Sequence, residues 1–227
     1  MAIGQEILLV SPVAVLGCLG GLIRTGDFWM SILFSFVKII GGFLAGIAAG
    51  TLLAGLARAF RWVGDLLEPF VQTIKAIPVA SFIILVLIWI PSRNLSIVIT
   101  FLMVFPVIYT NIRAGLESMD DQLLEMAQVF GLPAMTRIRY IYVSQVLPYF
   151  RSGCSLALGL CWKAGVAAEV IGIPDRSIGE KLYNAKIYLN TPELFAWTLV
   201  IIVISVVFEQ VFLSVIDRLV GKLERMG

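Results

Sequence analysis

The chain has 227 residues, 59% hydrophobic and 14% charged, with a formal net charge of +2 and a mean hydropathy of +0.96. Soluble domains carry roughly 25% charge, so a soluble globular fold is excluded, and the alternating strands of a membrane barrel are absent. There is no histidine, which removes His-based catalysis and His metal ligation. Cys18, Cys154 and Cys161 form no CxxC pair and read as small buried hydrophobes, so no metal site is expected.

The N-terminus lacks a basic n-region and a small-residue cleavage site, so a cleaved signal peptide is not expected. Residues 7–23 are apolar but interrupted by Pro12, Gly17, Gly20 and Gly21. They read as a short span or an interfacial helix, with the interface favoured. Residues 28–57 form the first span, ended by Arg58 and Arg61. Within it, Gly42, Gly46 and Gly50 repeat every fourth residue and lead to Ala54. Small residues at that spacing let helices approach closely, within the chain or across a dimer seam, with the former favoured. A second span runs over 64–90. Pro69 and Pro78 lie inside it, and a kink or break is expected near Pro78. Pro91-Ser92-Arg93-Asn94 is a tight turn, and 95–114 is the third span. A polar island covers 117–140. Residues 145–172 form the fourth span and 196–217 the fifth, separated by a polar loop at 173–195.

The predicted fold is therefore all-α. It is one polytopic membrane helix bundle over 1–227, with five spans, a short N-terminal interfacial or spanning helix, and a coupling helix in the island. No internal repeat is evident. Arg58, Arg61, Arg113, Arg137, Arg139, Arg151, Arg218, Lys222 and Arg225 fall on one side of the five-span scheme. Arg24, Arg93, Arg176, Lys181 and Lys186 fall on the other. Positive charge is retained in the cytoplasm, which predicts a cytoplasmic island, a cytoplasmic C-terminus, and a loop 173–195 outside.

The island has its own logic. Asp120 and Asp121 are good N-caps. Leu123, Leu124, Ala127 and Phe130 supply an apolar stripe. Gly131 suits a left-handed C-terminal cap, and Pro133 suits the first turn of a following helix. An ordinary loop satisfies the pattern, and so does a docking element for a cytoplasmic partner.

At these residues the chain resembles the loop of bacterial ABC importer permeases, E-A-A-x3-G-x9-I-x-L-P. Glu125, Ala127, Gly131 and Ile141 match, while Met126, Val143 and Ser144 replace the first alanine, the leucine and the proline. Pro148 stands where permeases of the nitrate/sulfonate/taurine type carry a second proline. Ser11-Pro12, Thr25-Gly26-Asp27-Phe28-Trp29, Leu67-Glu68-Pro69, Ala76-Ile77-Pro78 and Val166-Ala167-Ala168-Glu169 resemble that subfamily too, so the resemblance covers roughly 11–220. Such permeases usually have a further span before the Ser-Pro segment. Either this chain starts late or five spans suffice.

The resemblance implies a multi-pass permease of the bacterial inner membrane. Its partners would be a second permease copy, an ABC ATPase beneath and a solute-binding protein outside. Nitrate, a sulfonate, taurine or a vitamin precursor is the implied cargo. Leu124, Glu125, Ala127 and Gly131 would couple the chain to the ATPase. The chain has no G-x-x-x-x-G-K-[ST] phosphate loop. ATP and Mg are therefore expected on the partner, with no cofactor in this chain.

Charges within the apolar segments are candidates for the solute path, because charge in a bilayer lines a polar route or finds a partner. Lys38, Lys75, Lys163, Glu169 and Glu209 qualify. A path touching Lys75, Trp162, Lys163 and Glu169, with its two lysines, would favour an anion. Snorkelling or internal pairing is the alternative for each. An ion-coupled secondary transporter is the competing class, and it often shows an inverted repeat. An intramembrane enzyme lacks its nucleophile and base here.

Overall fold

A computed structural model describes residues 10–224, apart from the side chains of Asp121, Leu124, Ala134, Arg139, Leu219, Val220, Lys222, Leu223 and Glu224. Arg225, counted above for orientation, lies outside the described residues, as does the Lys222 side chain. The described elements are all helical. They are α1 Pro12–Leu22, α2 Gly26–Ala59, α3 Arg61–Ala76, α4 Val79–Leu87, α5 Ser92–Glu117, α6 Asp121–Val129, α7 Ala134–Arg137, a π-helical turn Ile138–Tyr142, α8 Val143–Gly172, α9 Ile178–Ile187 and α10 Thr191–Glu224.

Four segments are long and apolar enough to cross a bilayer by themselves: Gly26–Ala59, Ser92–Glu117, Met135–Gly172 and Thr191–Arg218. The 34 residues of α2 extend about 51 Å at 1.5 Å per residue, well beyond a hydrocarbon core of about 30 Å. The pair α3 and α4 makes the fifth candidate span and is bent by 105°. Pro78 has the extended backbone that ends one helix and starts the next (φ −59°, ψ 130°), and proline disfavours helix at the residue before it. The expected kink is thus in the expected place but is a sharp corner. The eleven residues of α1 extend about 16 Å, too short to cross alone.

The polar stretch 173–195 is not a plain loop. It contains α9, ten residues from Ile178 to Ile187. Its start is marked in sequence by Ser177 and Glu180, the S-x-x-E pattern of a capped helix.

Two compact units divide the chain. One comprises Met1–Phe43, Ile77–Phe101 and Cys161–Val207, the other Leu44–Ala76, Leu102–Leu160 and Phe208–Gly227. Each of α2, α5, α8 and α10 contributes to both, and the bent pair likewise gives α3 to one and α4 to the other. The first unit packs around Phe28, Ile178, Trp197 and Val200, which draw in Leu19 and Leu22 of α1 and Leu182 of α9. The Phe28 and Trp197 rings lie 5.0 Å apart. α2 meets α5 through Gly42, where a Cβ would overlap the Ile97 carbonyl oxygen. In the second unit the same helices meet through Gly46 and Gly50. A Cβ there would stand 2.8 Å from Val104 and 2.9 Å from Ile108. The glycine stripe is used for packing inside the chain, and Ala54 continues it as a fully buried residue. Arg113 pairs with Glu68 and Glu117, and Arg151 with Asp217, in this second unit.

Candidate functional site

The helix α6 is closed at both ends. The Asp120 carboxylate accepts the Gln122 N–H at 2.8 Å, and the Asp120 N–H donates to Gln145 Oε1 at 3.2 Å, tying the start of α6 to the first turn of α8. At the other end the Gly131 N–H donates to the Gln128 carbonyl and the Leu132 N–H to the Ala127 carbonyl, both at 3.0 Å. Gly131 has φ +63°. Those two bonds around a left-handed residue form a Schellman cap, for which glycine is the usual residue. The chain then turns through Leu132 and Pro133 into α7.

Caps fix the direction of α6, and its side chains fix what it can do. Ala127 is fully buried and seats the helix on its own unit. Val129 is 84% exposed, Phe130 74%, and Met126 about half exposed. Met135 and Ile138 extend the exposed apolar surface along α7 and the π turn. Glu125 is exposed, and the Leu124 side chain lies outside the described residues. These apolar groups stand outward on an otherwise polar segment. The structure thus separates the three described residues among the four expected to couple. Glu125 and Gly131 face outward, and Ala127 faces inward. Met126 was noted from sequence only as a departure from the family pattern, and Val129 and Met135 were not singled out, although apolar residues within a polar stretch were the available signal.

α7 leads into α8 through the π turn, where the Val143 N–H donates to the Ile138 carbonyl. The Ser144 hydroxyl donates to the carbonyls of Tyr140 and Ile141 at 2.8 and 3.2 Å. Serine bonded back to the preceding turn bends helices.

Cavities lined by charged side chains occur in both units. In the second unit a cavity of about 590 Å³ is lined by Arg58, Arg61, Asp65, Arg113, Glu117 and Met119 among others. Its wall includes the residue just before the cap of α6. In the first unit a cavity of about 390 Å³ is lined by Met30, Phe34, Ser92, Arg93, Asp175 and Arg176 among others. Lys38 Nζ stands 5.9 Å from the Phe34 ring centre and donates to Asn94 Oδ1 at 2.8 Å.

Two of the expected path residues share a face within the first unit. Trp162 and Glu169 lie seven residues apart on α8, so they share a face, and both are buried. Lys163 follows Trp162, is rotated by about 100°, and is exposed. Lys75 is exposed at the last turn of α3, in the other unit. Buried polar groups accompany Trp162 and Glu169 in the first unit: Ser31 and Ser35 of α2, Ser96 and Thr100 of α5, and Ser177. Glu169 accepts from the Ser35 hydroxyl at 2.6 Å and from the Gly179 N–H at 3.2 Å. Ser96 approaches the same carboxyl group without a well-formed bond.

Comparison with known proteins agrees with this architecture. Residues 42–225 match the family described as binding-protein-dependent transport system inner membrane component. A Brucella melitensis protein named as an ABC transporter permease is 28% identical over 213 residues, covering 93% of this chain and 86% of that protein. The Escherichia coli permease SsuC, named for aliphatic sulfonates transport, is 28% identical over 186 residues, 81% of this chain and 70% of its own. The nitrate import permease NrtB of Synechococcus elongatus is 27% identical over 157 residues, covering 69% and 56%. Among solved structures, an amino acid ABC transporter crystallised with histidines has the same fold. Its TM-score is 0.60 at 16% identity, covering 95% of this chain and all of that one. The match spans most of the chain, and the fold and span pattern fit it, so this protein belongs to the binding-protein-dependent transport system inner membrane component family, the ABC importer permeases.

Proposed function

We propose that this chain is the membrane subunit of an importer driven by a separate ABC ATPase, and that it moves a small anion such as a sulfonate, taurine or nitrate inward. The observation that carries the reading is the α6 segment. It is a helix capped at both ends, set at the E-A-A-x3-G positions, with Met126, Val129 and Phe130 presented outward. Its joint to α8 through α7 and the π turn gives a partner's movement a covalent route into a membrane helix. The arginine distribution supports a cytoplasmic α6 and C-terminus. ATP and Mg belong to the ATPase. A second permease copy and an extracytoplasmic binding protein complete the assembly.

An anionic cargo is supported by relatives named for sulfonates and nitrate, and by Arg93 and Arg176 beside the cavity of the first unit. A relative named for riboflavin transport keeps a vitamin-sized cargo as the second reading. The test is reconstitution in proteoliposomes with the cognate ATPase and binding protein. ATP-dependent uptake of labelled sulfonate, taurine or nitrate, competed by excess unlabelled anion, is the expected result. Uptake that proceeds without the ATPase, driven by an ion gradient, would overturn the proposal.

A further inference from the structure

The first turn of α9 is satisfied from an unusual direction. A helix start leaves its first N–H groups without intrahelical partners, and local side chains commonly cap them. Here Ser177 does the local part, its hydroxyl accepting the Glu180 N–H at 2.9 Å. The Ile178 N–H instead donates at 2.9 Å to Ser35 Oγ on α2, 143 residues away. The Gly179 N–H donates at 3.2 Å to Glu169 Oε2 on α8. Ser35 in turn donates its own proton to that same Oε2 at 2.6 Å. Glu169, Ser35 and Ser177 are all fully buried.

Two further observations point to the same contact. Gly179 lies so close to α8 that a Cβ would overlap the Glu169 Cβ and backbone carbon. The short connector between the helices also holds two non-glycine residues in left-handed conformation, Ile173 at φ 47° and Arg176 at φ 61°. A β-branched residue there is a genuine outlier. Such backbone persists only where its surroundings hold it.

We propose that Glu169 is a positioning residue: its carboxyl group, with Ser35, latches the start of α9 to α8 and α2, so that α9 is carried with α8 during transport. The latch makes Glu169 a support of the helix in the 173–195 segment, in place of a group that touches the solute. It uses one oxygen, Oε2, as acceptor for both donors, and Oε1 makes no hydrogen bond within the protein. A neutral amide placed with its oxygen at Oε2 keeps both bonds. Charge is therefore dispensable and the acceptor is not.

This inference rests on the importer reading only for its transport readout. Its first test needs no transport: hydrogen exchange of the full chain in lipid nanodiscs. In Glu169→Leu the amides of residues 178 and 179 should exchange about tenfold faster, the scale of a lost helix cap. Gly179→Ala, which removes no polar group, should do the same by pushing α9 away. Glu169→Gln should exchange like the wild type. In the reconstituted importer, uptake should fall about tenfold in Glu169→Leu and Gly179→Ala and stay within about twofold in Glu169→Gln, with basal ATP hydrolysis retained in all three. Wild-type exchange rates in Glu169→Leu, or loss of uptake in Glu169→Gln despite normal exchange, would overturn the latch, the second outcome marking a role for the charge. If wild-type chain gives no ATP-driven uptake, the importer reading fails, and the exchange result still decides the latch.

Discussion

Truncating Phe130 tests the docking face most directly. An aromatic side chain buries about 200 Å² when covered, and Phe130 is 74% exposed. About 150 Å² is therefore open to a partner. At about 25 cal/mol per Å² this amounts to about 3.7 kcal/mol if docking covers all of it. Alanine keeps the Cβ, and ordering and desolvation at an interface offset part of the area term. Phe130→Ala should thus weaken binding by about 2 kcal/mol, a Kd raised about 30-fold. The assay is titration of the cognate ATPase onto the chain in nanodiscs, read by biolayer interferometry. The chain's own melting temperature should barely move, because an exposed truncation changes stability by less than about 0.5 kcal/mol. A Kd within about twofold of wild type for Phe130→Ala and for Val129→Ala, with uptake intact, refutes the assignment of this face to docking.

Three further outcomes are expected. Gly131→Val forces a β-branched residue to φ +63°, at a cost of about 1–2 kcal/mol. ATPase co-purification and uptake should drop, while Gly131→Asn, which tolerates that conformation, should lose less. Gly46→Leu drives atoms into Val104, already 2.8 Å from a notional Cβ, and should destabilise the chain by about 1–3 kcal/mol. Thermal melting in detergent should register it, with Gly55→Leu as the control, since nothing stands within 4 Å of that Cβ. Lys163→Gln and Lys75→Gln, both at exposed positions, should leave melting unchanged. The KM for anion uptake should rise by about tenfold for any lysine that meets the solute. An unchanged KM in both variants removes the lysines from the path.

The spans were legible because about twenty apolar residues in a row have one physical reading, and the ends of α6 were legible because Asp120 and Gly131 act locally. What escaped was non-local or weakly apolar. The ten residues of α9 are half polar, so no run or period announced them, although Ser177 and Glu180 marked the start. Glu169 was read as a charge seeking a route. Its partners are Ser35, 134 residues earlier, and a backbone N–H ten residues later, and no spacing rule connects the three. The π turn depends on hydrogen bonds between residues five apart, for which the local sequence carries no signature. Lys163 lies within the Met135–Gly172 candidate span, as read, but a step of one residue on a helix turns its side chain away from the buried Trp162.

The corner between α3 and α4 carries a requirement for the surroundings of the chain. α4 starts at Pro78 with no side chain capping it, so the amides of Val79, Ala80 and Ser81 reach past the helix end without intrahelical acceptors. Pro78, Ala80 and Ser81 are exposed. Hydrocarbon tails offer no acceptors, and irregular backbone at membrane depth survives only against protein or water. Where that corner lies at membrane depth, its amides require a hydrated passage or another protein surface against them.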